Sequence, residues 1–257
     1  MRPFDYVFSI GSDCACAMHL RDCGLRDMSA PFDWVFGISL AARVQIIEDD
    51  FAGLLKRENL RKLRKEKDGD PKCDYYADDG SGFIHYHDFP VGVPLEVSLP
   101  TVRSKYERRI QRFLGRLASG GRVLMVWWDK RTHEEDAAYF DALGRMQAKF
   151  PACEFHLLAF QDDQMLPVGM TERVRLSDRI EKVRGRFCPV PSVRGDVRLT
   201  AKYLRKVPVC WRVRRKALRR SCLRGLIKFL AAFFVVKSVR KAVRAKLATR
   251  FGVADVK

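Results

Sequence analysis

Two stretches constrain the fold most, Arg122–Trp128 and Glu154–Phe160. The first runs through Val123, Leu124, Met125, Val126, Trp127 and Trp128 with no polar residue. A strand with one wet face alternates apolar and polar residues, so an unbroken run predicts a strand covered on both faces. Between the two stretches, Glu134–Phe150 reads as a helix. Glu134, Glu135 and Asp136 stand at its N-terminal end, where carboxylates suit the helix dipole. Upstream, Thr101–Leu117 places Val102, Tyr106, Ile110, Phe113, Leu114 and Leu117 on one helical face, and Gly120-Gly121 ends it. Strands alternating with helices predict a three-layer α/β domain with a mainly parallel sheet. Leu40–Leu55 reads as a further amphipathic helix and Phe83–Phe89 as a short strand. Lys56–Asp79 reads as a solvated loop, Pro90–Pro100 as a connection, and Glu172–Leu176 as one more short strand.

The N-terminus supplies another strand, Tyr6-Val7-Phe8-Ser9-Ile10, running into Gly11-Ser12-Asp13 and then Cys14. From Cys14 the pattern is helical until Gly24, a suitable C′ glycine. Cys14 therefore falls at a strand-to-helix turn, on the edge where open α/β sheets place their sites. The dipole and backbone N–H groups of a helix N-terminus favour a thiolate, the form that attacks carbonyl carbon. N–H groups around Ser12, Asp13 and Ala15 are placed to receive an oxyanion. The competing reading of Cys14 is a small buried residue, a common fate of cysteine. Asp129, just past the Trp127-Trp128 strand, falls on the same edge, either with a role in the site or as a loop cap.

A thiol nucleophile needs a base. Of five histidines, His85 and His87 lie on one strand, where a spacing of two turns them to the same face. His87 is nearer the strand end and precedes Asp88. Cys16, His19 and Cys23 share a helix face at soft-metal spacing, but no second cysteine pair stands at finger or ribbon spacing. Neither a metal nor a cofactor is expected.

Several motifs together carry a resemblance. Ser9-Ile-Gly-Ser-Asp-Cys14, Leu20-Arg21, Gly24-Leu25-Arg26, Pro31-Phe32-Asp33-Trp34, His87-Asp88-Phe89-Pro90 and Arg109-Ile-Gln-Arg-Phe-Leu114 resemble, in order and spacing, a bacterial family of papain-like cysteine peptidases, a domain of unknown function. The likeness spans roughly residues 4–165. It implies Cys14 as nucleophile, His87 as base, and Asp33 or Asp129 as the acid that orients the base. It also implies an α+β papain-like fold as the alternative architecture, and a setting in envelope-glycan metabolism. The reaction expected is hydrolysis or acyl transfer on a peptide, thioester or glycan acyl ester. The alternative is an inactive binding or scaffold module at a membrane or nucleic acid.

Charge divides the chain. Val197–Ala254 contains no Asp or Glu and holds 18 Lys and Arg, while the remainder balances 31 basic against 31 acidic residues. Two parts are therefore expected, a hydrolase domain over 1–196 and a basic amphipathic helical segment over 197–257. In the second part, Val213, Leu223, Ile227, Leu230, Phe233 and Phe234 belong to an apolar stripe. Trp211, Arg214, Arg215, Lys216, Arg219 and Arg220 suit a headgroup layer. That composition predicts a segment lying on an anionic membrane surface, with nucleic acid as the second choice of partner. The chain has eight cysteines, no secretory signal in Met1–Ile10 and no apolar run long enough to span a bilayer. A reduced cytoplasmic protein held at the inner membrane is expected.

Overall fold

A computed structural model describes residues 2–64, 72–130, 132–188 and 194–232. In chain order, β1 (Tyr6–Ser9) leads to α1 (Cys14–Asp22), a 3₁₀ turn at Pro31–Trp34, β2 (Val35–Phe36) and α2 (Leu40–Glu48). There follow β3 (Leu60–Lys62), β4 (Cys73–Asp78), β5 (Phe83–Pro90), α3 (Leu95–Ala118), β6 (Gly121–Asp129) and α4 (Asp136–Lys149). The chain continues with β7 (Cys153–Asp162), β8 (Thr171–Arg175), β9 (Ile180–Gly185), α5 (Val197–Leu204) and α6 (Trp211–Ala232).

The architecture is mixed α/β around a mainly parallel sheet, ordered β1-β6-β7-β9-β8. Only β8, at the edge, runs antiparallel. The unbroken apolar runs have the expected cause. Val123, Met125 and Trp127 of β6 enter one core with Tyr106 and Phe113 of α3 and Tyr139 of α4. Leu124, Val126 and Trp128 enter a second core with Ala15, Cys16 and Leu20 of α1 and Leu199 and Leu204 of α5. Successive side chains of a strand point to opposite faces, so a strand between two helical layers must be apolar throughout. Phe113 ties the first core together, with rings of Phe8, Phe32, Phe51 and Tyr6 within 6.4 Å. Burying such a ring stabilises by about 1.5–3 kcal/mol.

A second sheet, β2-β5-β4-β3, is antiparallel and closes over the first core through Val35, Leu60, Tyr76, Phe83 and Phe89. It corrects the reading of Lys56–Asp79 as a solvated loop: β3 and β4 lie inside that range, and β4 is buried from Asp74 to Asp78. The Leu40–Leu55 helix is also shorter than expected. It stops at Glu48, and Asp50, Phe51 and Leu55 take positive φ while Phe51 and Leu55 stay buried. Conversely, α3 starts at Leu95 and carries Pro100 within it, so the Pro90–Pro100 connection is half helix.

The basic segment is not uniformly separate from the body. Leu199, Ala201 and Leu204 of α5 are buried, and α5 packs on α1. Beyond it, the Phe4 N–H donates to the Pro208 carbonyl and the Cys210 N–H to the Phe4 carbonyl. Packing onto the α/β body therefore continues to Cys210, past the division expected at residue 196. In α6, Val213 and Ile227 are buried, whereas Trp211, Leu226 and Phe229 are exposed.

Candidate active site

Chain geometry at the end of β1 builds a tight turn. Ile10 continues the ladder by donating to the Val126 carbonyl. Gly11 then passes so close to β6 that a Cβ there would lie 2.6 Å from the Trp128 backbone nitrogen, which is why glycine stands at this position. Ser12 Oγ donates to the Trp128 carbonyl at 2.7 Å. Asp13 caps α1, accepting from the Ala15 N–H at 2.8 Å on one oxygen and from Lys130 Nζ at 2.9 Å on the other. Cys14 is the first residue of α1 and is half-buried. Ser12, Asp13, Cys14 and Ala15 thus form one turn, as the sequence predicts. The Ala15 N–H is engaged by the Asp13 cap in this arrangement.

Beneath the turn lies a residue the sequence reading missed. Arg43 of α2 is fully buried and donates from Nη2 to the Ser12 carbonyl at 3.2 Å and the Gly37 carbonyl at 2.7 Å. Rings of Phe32, Phe83 and Trp127 stand 5.1–5.8 Å from its guanidinium carbon. Burial pushes its pKa down to about 9, against the opposing charge of Asp13. Nothing in the amphipathic pattern of α2 distinguishes this arginine from a solvated one.

The histidines occupy β5. The expectation that His85 and His87 share a face fails, because the β4–β5 pairing is bulged between His85 and Phe89, the stretch that holds His87. His85 is fully buried, packed on Phe89 and Tyr106, while His87 is exposed with its ring edge-on to Trp34 at 5.9 Å. The neighbouring carboxylate serves His85: Asp88 Oδ2 lies 3.0 Å from His85 Nδ1 and accepts from Tyr106 Oη at 2.8 Å. Lys105 pairs with its other oxygen. Burial alone would raise the pKa of Asp88. The His85 hydrogen bond and the Lys105 charge outweigh it and hold the group well below the carboxylate range.

The two candidate orienting acids have other engagements. Asp33 Oδ2 accepts from the Ala30 N–H at 2.9 Å and pairs with Arg26 at 2.5 Å. Arg26 in turn lies over the Trp34 ring. Asp129 accepts from Thr132 Oγ1 at 2.7 Å, the His133 N–H at 2.8 Å and the Glu134 N–H at 2.6 Å. That is the geometry of a loop cap leading into α4. The Pro31–Trp34 turn packs against both α1 and β5. Cys16 and His19 have structural tasks. The Cys16 thiol, pushed up to about 12 by burial, lies 3.4 Å from the Val126 carbonyl. His19 is bonded to the Arg194 carbonyl.

These features define a mixed α/β protein with a thiol at the head of the helix that follows its first parallel strand. The chain belongs to the family described as "Putative papain-like cysteine peptidase", a domain of unknown function whose model matches residues 5–163. It is similar to an uncharacterized protein of Acanthamoeba polyphaga mimivirus, 29% identical over 131 residues. That match covers 46% of this chain and 59% of the relative, so the chain spans little more than half the relative's length. The relative is viral, so the likeness reaches beyond the bacterial family expected from the motifs. No solved structure matches the chain.

Proposed function

We propose that this protein is a cysteine-dependent hydrolase or acyltransferase. The observation that carries the reading is the position of Cys14. It opens α1 at the carboxyl end of a parallel strand, and the Pro31–Trp34 turn joins that helix to the strand bearing His87. In this reading His87 takes the Cys14 thiol proton and Sγ forms a bond to the substrate carbonyl carbon. His87 returns the proton to the leaving group as the acyl bond breaks. Water or another acceptor then releases the acyl group from sulfur with the same histidine as base. The N-terminal dipole of α1 supplies positive potential for the oxyanion, with the Ala15 N–H held on the Asp13 cap and Lys130 paired with Asp13 at 2.9 Å. Peptides, thioesters and the acyl esters of envelope glycans are the substrate classes this chemistry serves.

The test is the pH dependence of Cys14 alkylation by iodoacetamide, read by peptide mass spectrometry, in wild type and His87→Ala. Alkylation persisting well below about pH 8.5, the value of an ordinary thiol, and lost in the variant supports the pair. An ordinary profile, unchanged in the variant, removes the nucleophile reading and leaves a binding module.

A second reading concerns location. On α6, Trp211, Leu226 and Phe229 are exposed on a helix that also exposes Arg214, Arg215 and Arg219. The side chains of Lys216 and Arg220, and residues Phe233 and Phe234, lie outside the described residues. Among the described residues no helix is long and apolar enough to cross a membrane. Exposed aromatics among arginines suit a segment lying in an anionic headgroup layer, with the catalytic domain on the cytoplasmic face. Cosedimentation with phosphatidylglycerol vesicles that survives 0.5 M salt supports this reading. Binding to single-stranded DNA that collapses in the same salt, with no vesicle binding, would replace it.

A further inference from the structure

The strand that carries the histidines is irregular where its chemistry lies. β4 pairs Tyr76 with His85 and Asp74 with Phe89, so a two-residue step on β4 faces a four-residue step on β5. The surplus sits between His85 and Phe89, and surplus residues in one strand re-aim the side chains that follow. Regular alternation would turn His87 to the same face as His85 and Asp88 to the opposite one. The bulge reverses this: His87 is exposed, and Asp88 is buried with its side chain 2% exposed.

Buried carboxylates persist only where they are paired and hydrogen-bonded. Asp88 is held from two elements. His85 bonds it across the bulge at 3.0 Å from within β5, and Tyr106 Oη at 2.8 Å together with Lys105 hold it from α3. The bonds fix Asp88 inward, while His87 before it is outward and Phe89 after it is buried as well. The His87 ring then meets Trp34, whose turn packs on the helix that begins with Cys14.

We infer that His85, Asp88 and Tyr106 are positioning residues whose hydrogen-bonded network locks the β5 bulge and thereby presents His87 to the site. The inference rests on the reading of His87 as the base for Cys14. His85 touches no reacting atom in this scheme. Its task is to hold Asp88, and any group that donates from the place of Nδ1 performs it.

The experiment compares Cys14 alkylation against pH, with a thermal unfolding midpoint, in wild type, His87→Ala, His85→Leu, His85→Asn and Tyr106→Phe. Asparagine keeps an N–H donor near the position of Nδ1, leucine keeps the bulk without the donor, and phenylalanine removes only the Tyr106 hydroxyl. Misplacing a catalytic group by about 1 Å costs on the order of a hundredfold. His85→Leu and Tyr106→Phe are therefore expected to lower Cys14 alkylation at pH 6.5 by tenfold or more and to shift its profile towards that of His87→Ala. His85→Asn is expected to keep the wild-type profile even where its midpoint falls. If His85→Leu and Tyr106→Phe lower the midpoint but keep the wild-type profile while His87→Ala changes it, the network is structural only and the inference is overturned. If His87→Ala itself leaves the profile unchanged, the base assignment fails, and the positioning role falls with it. Should His85→Leu not fold, Tyr106→Phe decides.

Discussion

His19 should make the seating of α1 sensitive to acid. The residue is 1% exposed, its ring packed at a 38° tilt on Trp128 with centroids 4.2 Å apart, and Nε2 lies 2.8 Å from the Arg194 carbonyl. A carbonyl only accepts, so Nε2 carries the proton of the neutral ring. Burial pushes the pKa from 6.5 down to about 4, opposed by the Arg194 carbonyl and aided by the charges of Arg194 and Lys130. Because the folded value is depressed, the unfolded chain takes up the proton first. The stability from a neutral His19 is then complete above about pH 6.5 and is lost as pH falls towards 4. At 1.36 kcal/mol per pKa unit, the loss at pH 4.5 is about 2–3 kcal/mol, against a typical domain stability of about 5–15 kcal/mol. Urea unfolding of wild type and His19→Gln at pH 7 and pH 4.5 measures it. Glutamine keeps an N–H near Nε2 but does not titrate, and every other group is common to both proteins. Wild type should lose about 2–3 kcal/mol more than the variant between the two pH values. Equal losses would refute the burial argument.

At Gly11 an added methyl meets the Trp128 backbone nitrogen at 2.6 Å, which cannot swing aside as a side chain would. Gly11→Ala should cost about 1–3 kcal/mol in urea unfolding and slow Cys14 alkylation, because the turn itself must move. Cys16, two residues from Cys14, is pushed up to about 12 by burial. Peptide mass spectrometry at pH 8 should find it unmodified while Cys14 reacts, and equal labelling would show that the α1 face is open. Asp129→Ala should cost about 3 kcal/mol or more, since three donors lose a charged acceptor. In thermal unfolding Asp129→Asn should be milder, retaining an oxygen for Thr132 and His133.

Legibility in the sequence followed the physics of each element. Strands β6 and β7 were readable because burial on both faces removes polar residues from the run. Strand β9 was not, since Ile180 and Val183 are its buried apolar residues among charged ones that reach solvent. The antiparallel sheet was hidden in a segment dense in lysine, arginine and aspartate. There β4 is held mainly by pairing with β5, a contact between distant segments that composition does not reveal. In Leu40–Leu55 the apolar spacing correctly marked buried residues, but burial continued after the helix ended, in left-handed turns that Asp50, Phe51 and Leu55 do not advertise. The turn from Gly11 to Ala15 was legible because glycine, a short capping acid and a helical run follow in order. The orientation of His87 was not, since a period of two holds only until a bulge interrupts it and the residues from His85 to Asp88 carry no glycine to announce one.

The proposed site draws on both sheets, and this would give an arginine in the core a task. Cys14 follows a strand of the parallel sheet, while His87 belongs to the antiparallel one, so their relation depends on how the two sheets are fixed together. Apolar packing fills space without specifying one register. Arg43 adds direction: one nitrogen reaches the Ser12 carbonyl beside Cys14 and the Gly37 carbonyl just after β2, which pairs with β5. Burying that cation opposes folding, as the fall of its pKa to about 9 shows. The three aromatic rings around it offset part of the cost. The remainder is the cost of tying the turn that follows β1 to the end of β2.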